Sequence, residues 1–154
     1  MLAVIAAAFA LTSPAFHGGA MIPARYTCDG KNVSPPLRWS HVPRNTRSFA
    51  LRLDDPDAPG GTFTHWTAWN FDAGALALRA GAADRWRLTG TNSFGRIGYD
   101  GPCPPSGSTH HYVFRLYALN ARLTLRRGAS RSQFAAALRG HVLATARLVG
   151  LYRS

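Results

Sequence analysis

The sequence predicts one mainly β domain, on three observations. Proline and glycine, 10 and 15 of them, punctuate most of the chain and leave only short apolar stretches between. Two of those stretches are rich in aromatic and β-branched residues. A helical pattern appears only near the C-terminus. At 154 residues the chain has the size of a single domain and can bury a core without staples. It shows no linker, second domain or repeat.

The apolar run Leu2 to Leu11 is too short to span a membrane as a helix. Residues 1–10 read either as the remnant of a signal peptide lacking its positive start, or as a first strand or helix. Phe49, Leu51 and Leu53 alternate with Ala50 and Arg52, which is strand periodicity. The acidic turn Asp54 to Gly61 ends that strand. A second, tryptophan-rich strand runs His65 to Phe71, and Leu76 and Leu78 start a short third segment. Arg85 to Gly90 is ambiguous. Thr91 to Thr109 is long and irregular, the kind of loop that is usually functional in a compact domain. Tyr112 to Leu119 is apolar on both faces and belongs at the centre of a sheet. Ser130 or Ser132 can cap a helix to Arg139, with Phe134, Ala135 and Leu138 on one face and Gly140 as the stop. Val142 to Tyr152 reads as a final strand or as a helical continuation.

The formal charge is +11, from 18 basic and 7 acidic residues. Lys31 is the only lysine, and there is no glutamate. An arginine and alanine excess of this kind follows from codon bias in a GC-rich genome, or from a partner with negative charge. Nucleic acid is disfavoured, because even the densest cluster, Arg122, Arg126, Arg127 and Arg131, forms no basic-helix pattern. Weak, salt-dependent contact with an anionic membrane surface is consistent with the charge. Cys28 and Cys103 form no CxxC motif, which argues against zinc and thioredoxin chemistry.

His110 and Tyr112 stand two apart on a predicted strand and share a face, while His111 points the other way. His65 begins the other aromatic strand, beside the turn that carries Asp55 and Asp57. If the two strands are neighbours, these groups converge. Imidazole and phenol donors suit phosphate oxygens, a carboxylate beside a histidine fixes its tautomer, and glycine-rich turns expose backbone N–H groups. Half-buried histidines with ordinary hydrogen bonds are the plainer reading. A metal site at His65, His110 and Asp55 matches no standard spacing. There is no G-x-S-x-G elbow, and Cys103 between two prolines lacks a helix start to activate it. Gly95 to Gly98 is too short for a nucleotide fingerprint. No cofactor is indicated.

Five segments together resemble the phosphatidylethanolamine-binding proteins. They are Ser34 to Trp39 (SPPLRW), Asp55 to Pro59 (DPDAP), His65-Trp66, Gly101 to Tyr112 (GPCPPSGSTHHY) and Gly140 to Ala144 (GHVLA). The last is similar to the bacterial branch, the Raf kinase inhibitor-like proteins. The resemblance implies an antiparallel β-sandwich with a large central sheet and one or two short peripheral helices. It implies non-catalytic binding of phosphate or a phospholipid head group by Asp55, His65, His110 and Tyr112. Pro59 and Pro105 would shape the walls, and Asp57 would orient the loops. His111 stands where the family commonly has arginine. Cys28 and Cys103 fall within or beside matched turns and are expected to approach and bond. Regulation of a protease or kinase through Arg44–Ser48 or Thr91–Tyr99 is the alternative function, and an ester hydrolase with a histidine base is a third. The resemblance implies a bacterial protein, and the incomplete N-terminal signal leaves its compartment open, exported to the periplasm or cytoplasmic.

Overall fold

The computed structural model describes residues 1–4 and 7–154. Seven strands form two antiparallel sheets. The small sheet joins β1 (Ala10–Thr12), β2 (Leu37–Ser40) and β5 (Ala77–Leu78) in the order β1-β2-β5. The large sheet holds β3 (Ser48–Asp55), β4 (Phe63–Asp72), β6 (Thr109–Leu119) and β7 (Val142–Arg153) in the order β4-β3-β6-β7. One helix, α1 (Arg131–Leu138), and two single 3₁₀ turns complete the described structure. The β-rich sandwich read from the sequence is therefore present.

Two cores lie on opposite faces of the large sheet. On one face Leu51, Leu53, Trp66, Phe114 and Leu116 meet Leu11, Leu37 and Trp39 of the small sheet. On the other, Ala50, Trp69, Tyr117 and Leu119 are covered by Phe134 and Leu138 of α1 and by Leu123 and Ala129. Each fully buried large side chain stabilises the fold by about 1.5–3 kcal/mol relative to exposure. Burial on both faces explains the unbroken apolar run of β6, which pairs with β3 on one side and β7 on the other. It also corrects the simple alternation read in β3, where Ala50 is as buried as its neighbours. The final segment is a strand, with Ala146, Leu148 and Tyr152 turned inward.

Strand limits run wider than the sequence suggested. Asp54 and Asp55 complete β3 and are not part of the turn, because both stay paired to neighbouring strands. Ser130, not Ser132, caps α1: its side chain accepts from the Gln133 N–H while the Gln133 side chain accepts from the Ser130 N–H. Gly140 adopts a left-handed φ of 78° just after the helix, as a stop residue does. The N-terminal apolar run is not one element. Leu2 and Val4 are exposed, Phe9 stacks on Phe49 with centroids 6.1 Å apart, and pairing begins at Ala10. Positions 5 and 6 of that run lie outside the described residues.

A disulfide joins Cys28 to Cys103, with Cα atoms 5.4 Å apart across 75 residues of sequence. It ties the segment after the first 3₁₀ turn to the loop before β6, beside a Cys28 N–H bond to Pro102 O of 3.1 Å. A cross-link closing so long a loop contributes roughly 4 kcal/mol by restricting the unfolded chain. The double variant Cys28→Ser/Cys103→Ser is expected to unfold at a correspondingly lower urea concentration. Thiol titration of the denatured, unreduced wild type should find no free thiol; an unchanged midpoint would show that the bond carries no stability.

Candidate functional site

Three strands bring the site residues together at one end of the large sheet. β3 ends on two buried carboxylates that point to opposite faces. Asp54 accepts from the Thr64 hydroxyl at 2.8 Å and pairs with Arg52 at 3.0 Å. Asp55 turns toward the sandwich interior, where Oδ2 lies 2.7 Å from His110 Nδ1 and Oδ1 accepts the Asp57 N–H at 2.8 Å. The strands carrying His65 and His110 are not neighbours, as the sequence argument had required. β3 lies between them and supplies Asp55, so convergence survives.

His65 owes its position to a β-bulge. Leu53 pairs with Trp66, but Asp54 pairs with Thr64, so β4 holds one extra residue at His65. Bulges re-aim side chains in this way. The consequence is that His65 and its sequence neighbour Trp66 both reach the cluster containing Tyr112: the His65 and Tyr112 rings are 5.5 Å apart, edge to face. His65 Nδ1 lies 2.7 Å from Asp100 O. Asp100 is in turn fixed by Arg96, whose Nε and a terminal nitrogen donate to its two carboxylate oxygens at 3.0 and 2.9 Å, and by Asn92 at 2.7 Å. Asn92 also accepts the N–H groups of Phe94 and Arg96, so one buried side chain organises the whole turn.

Asp55, His65 and His110 border a cavity of about 220 Å³ whose other walls are Ala58, Pro59, Phe63, Phe94, Cys103, Pro104 and Pro105. Pro59 and Pro105 thus stand in its wall. Tyr112 does not: it is fully buried beneath the two imidazoles, and its hydroxyl has no hydrogen-bond partner among the described residues. Burial and the neighbouring Asp55 charge raise its pKa, which keeps it protonated. Asp57 is exposed and faces away, with Oδ2 receiving the His111 N–H and lying 2.7 Å from His111 Nδ1. Those bonds, led by the backbone one, lower its pKa. His111 itself points outward.

Phe63 and Phe94 escaped the sequence reading. Phe63 stands two residues before His65, a same-face spacing that could have flagged it. Their rings meet edge to face at 4.7 Å, and Phe94 is partly exposed at the mouth. The glycine-rich turns contribute less than expected. The Gly107 N–H donates to Ser154 O and the Gly61 N–H to Ala58 O, so both are consumed within the protein. Gly101 serves packing instead: a Cβ there would sit 2.1 Å from Tyr26 O, which only glycine avoids. Cys103 is tied up in the disulfide and presents no thiol. Among the described residues no three His, Cys, Asp or Glu groups are arranged to hold a metal ion.

Comparison with known proteins shows which family the chain resembles. Residues 12–153 match the family model described as phosphatidylethanolamine-binding protein. A UPF0098 protein of Methanothermobacter thermautotrophicus is 49% identical over 93% of this chain and 97% of its own. The crystal structure of a phosphatidylethanolamine-binding protein homologue from Chlamydia trachomatis superposes with a TM-score of 0.88 at 39% identity, covering 96% of this chain and 98% of that one. Escherichia coli YbcL, described as a member of the mammalian PEBP family, gives 0.89 at 34% identity over 96% and 99% of the two chains.

Burial lowers the His65 pKa from its usual 6.5, outweighing the bond to Asp100 and the charges of Asp55, Asp54 and Asp100. A depressed folded-state pKa means the unfolded chain binds the proton first. The contribution is therefore intact above pH 6.5 and lost as pH falls below it. Chemical denaturation from about pH 7.5 to 5.5 should show falling stability, and His65→Gln should flatten that slope. An identical slope in the variant would remove His65 as the cause.

Proposed function

The chain belongs to the phosphatidylethanolamine-binding protein family, and on that premise we propose that its cavity binds a small phosphate-type anion without catalysis. One observation carries this reading. Two imidazoles from different strands border one cavity, and each has its Nδ1 engaged by a protein oxygen. The nitrogen left for a ligand on each ring is Nε2. A cavity of about 220 Å³ is below the usual range for drug-sized ligands. It suits a phosphate or head group, with any acyl chain left outside. The Phe63 and Phe94 rings offer an apolar wall that an ammonium group could face. Among the described residues no serine, threonine or free thiol lines the cavity, which supports binding over hydrolysis through a hydroxyl or thiol nucleophile.

A second reading, regulation of a partner protein, is favoured by the loop beside the mouth. Asn92 and Asp100 hold it rigid while Phe94 and Ile97 remain exposed. Partner capture that survives loss of the pocket, and is lost in Ile97→Ser, would favour it.

Titration of the labelled protein with phosphate and phosphoethanolamine should shift resonances of His65, His110 and Phe94. His110→Ala is expected to weaken binding at least tenfold, about 1.4 kcal/mol, with the fold retained. Unchanged affinity would remove His110 from the site.

A further inference from the structure

We propose that the part of the large sheet's second face left open by α1 docks an acidic helical segment of a protein partner. Its carboxylates would pair with the row Arg52, Arg115 and Arg147, and an apolar side chain would enter the cavity beside Arg139. This surface is separate from the anion cavity at the end of β3 and stands whether or not that cavity binds an anion.

Strand alternation and register make the row. Ala50 and Tyr117 pack against Phe134 of α1. Arg52 and Arg115 stand two positions from them and share their face. Arg52 pairs with Arg115 across β3 and β6, and Arg115 pairs with Arg147 across β6 and β7. Three guanidinium side chains therefore stand side by side on adjacent strands. Like charges directly opposite one another destabilise a sheet. One carboxylate lies among them, Asp54, at 3.0 Å from Arg52 and 3.8 Å from Arg115. Arg139 joins the group from the end of α1. The ion pairs among the described residues include none to Arg139 or Arg147. Four arginines beside one aspartate leave three positive charges unmatched. A second copy of this chain is a poor occupant, because it has 7 acidic residues against 18 basic and carries the same charge of +11.

The shape favours a protein side chain over a flat anionic surface. α1 stops at Leu138, and the left-handed Gly140 turns the chain away. Between the helix end and the sheet lies a cavity of about 460 Å³, with Tyr117, Ala135, Leu138 and Val142 as apolar walls and Arg52 and Arg139 as its charges. The Arg52 side chain is only 20% exposed, too deep for the plane of a bilayer to reach. Burial raises the Tyr117 pKa while the charges of Arg52 and Arg115 oppose the rise, so both guanidinium groups lie near that ring. Val142 and Leu143 are exposed and carry the apolar wall out to the rim. Strands about 4.8 Å apart spread the row over roughly 10 Å. Acids at i, i+3 and i+7 of one helix face also span about 10 Å. Three same-face acids of an extended segment span roughly 13 Å and fall out of step with the row. Each guanidinium can hold a carboxylate through two parallel hydrogen bonds, which adds orientation to charge.

The probe is a synthetic helical peptide with glutamates at i, i+3 and i+7 and a leucine beside them. It is titrated at low salt against the whole chain and followed by anisotropy and amide shifts. Shifts are expected at Tyr117, Leu138, Val142 and Arg147. The double variant Arg139→Gln/Arg147→Gln should bind at least about tenfold more weakly, and His110→Ala should bind as the wild type does. A peptide of the same composition with its acids at alternate positions should bind at least about fivefold more weakly than the helical one. Arg147→Gln relieves repulsion, so its urea midpoint should match or exceed that of the wild type. A lowered midpoint would assign the row to the fold and overturn the docking surface. Equal affinity of the double variant and the wild type, or of the two peptides, would overturn it too. Phosphatidylglycerol vesicles test the rival occupant: vesicle binding that the double variant loses, with no peptide binding, would replace the protein partner by a lipid surface.

Discussion

The buried carboxylate of Asp55 is the constraint around which this end of the sandwich is built. A carboxylate withdrawn from water is costly unless its oxygens are bonded. Here one oxygen takes a backbone N–H from the turn that follows, and the other takes an imidazole from β6. The first bond folds the turn back over the end of β3 and places Ala58 and Pro59 in the cavity wall. The second orients His110. The adjacent carboxylate, Asp54, is equally buried but satisfied on the opposite face by Thr64 and Arg52. Two neighbouring acids can both be buried because strand alternation separates them.

Around that carboxylate the site is rigid by construction. The bulge at His65 follows from register, the Asp100 carbonyl holds its ring, and Arg96 and Asn92 hold Asp100. Tyr99 donates to Tyr26 O at 2.6 Å, and the Asn32 side chain accepts the Gly101 N–H at 2.8 Å. With the disulfide, these contacts tie the segment from Tyr26 to Asn32 to the loop that forms the other wall. Preorganisation of this kind lowers the ordering cost of binding, which matters most when the ligand is small and offers few contacts.

The chemistry such a frame presents is narrow. Its walls are largely apolar, and the polar groups among its lining residues are one carboxylate and two imidazoles. That sets it apart from glycine-rich nests, where several N–H groups accept an anion in any protonation state. The net charge of +11 acts at longer range, raising the local concentration of anions without selecting among them.

How much of this was legible in the chain depends on the range of the forces involved. Composition and punctuation were enough for the β class. The double-faced apolar run of Tyr112 to Leu119 marked a central strand, and the serine-to-glycine span marked the helix, because alternation and capping are local. The motifs around Asp55, His65 and His110 located the candidate site, since each ends or begins a strand beside a proline-rich turn. Other features required the folded chain. Alternation alone cannot reveal the bulge that turns His65 inward, because the extra residue exists only relative to β3. Same-face spacing grouped Tyr112 with His110, yet only packing shows that the imidazoles cover it. Phe63 and Phe94 become walls through pairing across the sheet and through the Asn92 turn, and the Gly107 N–H is claimed by the distant Ser154 carbonyl. Residue identities settle which groups are available; register and burial, being long-range, decide which of them border the cavity.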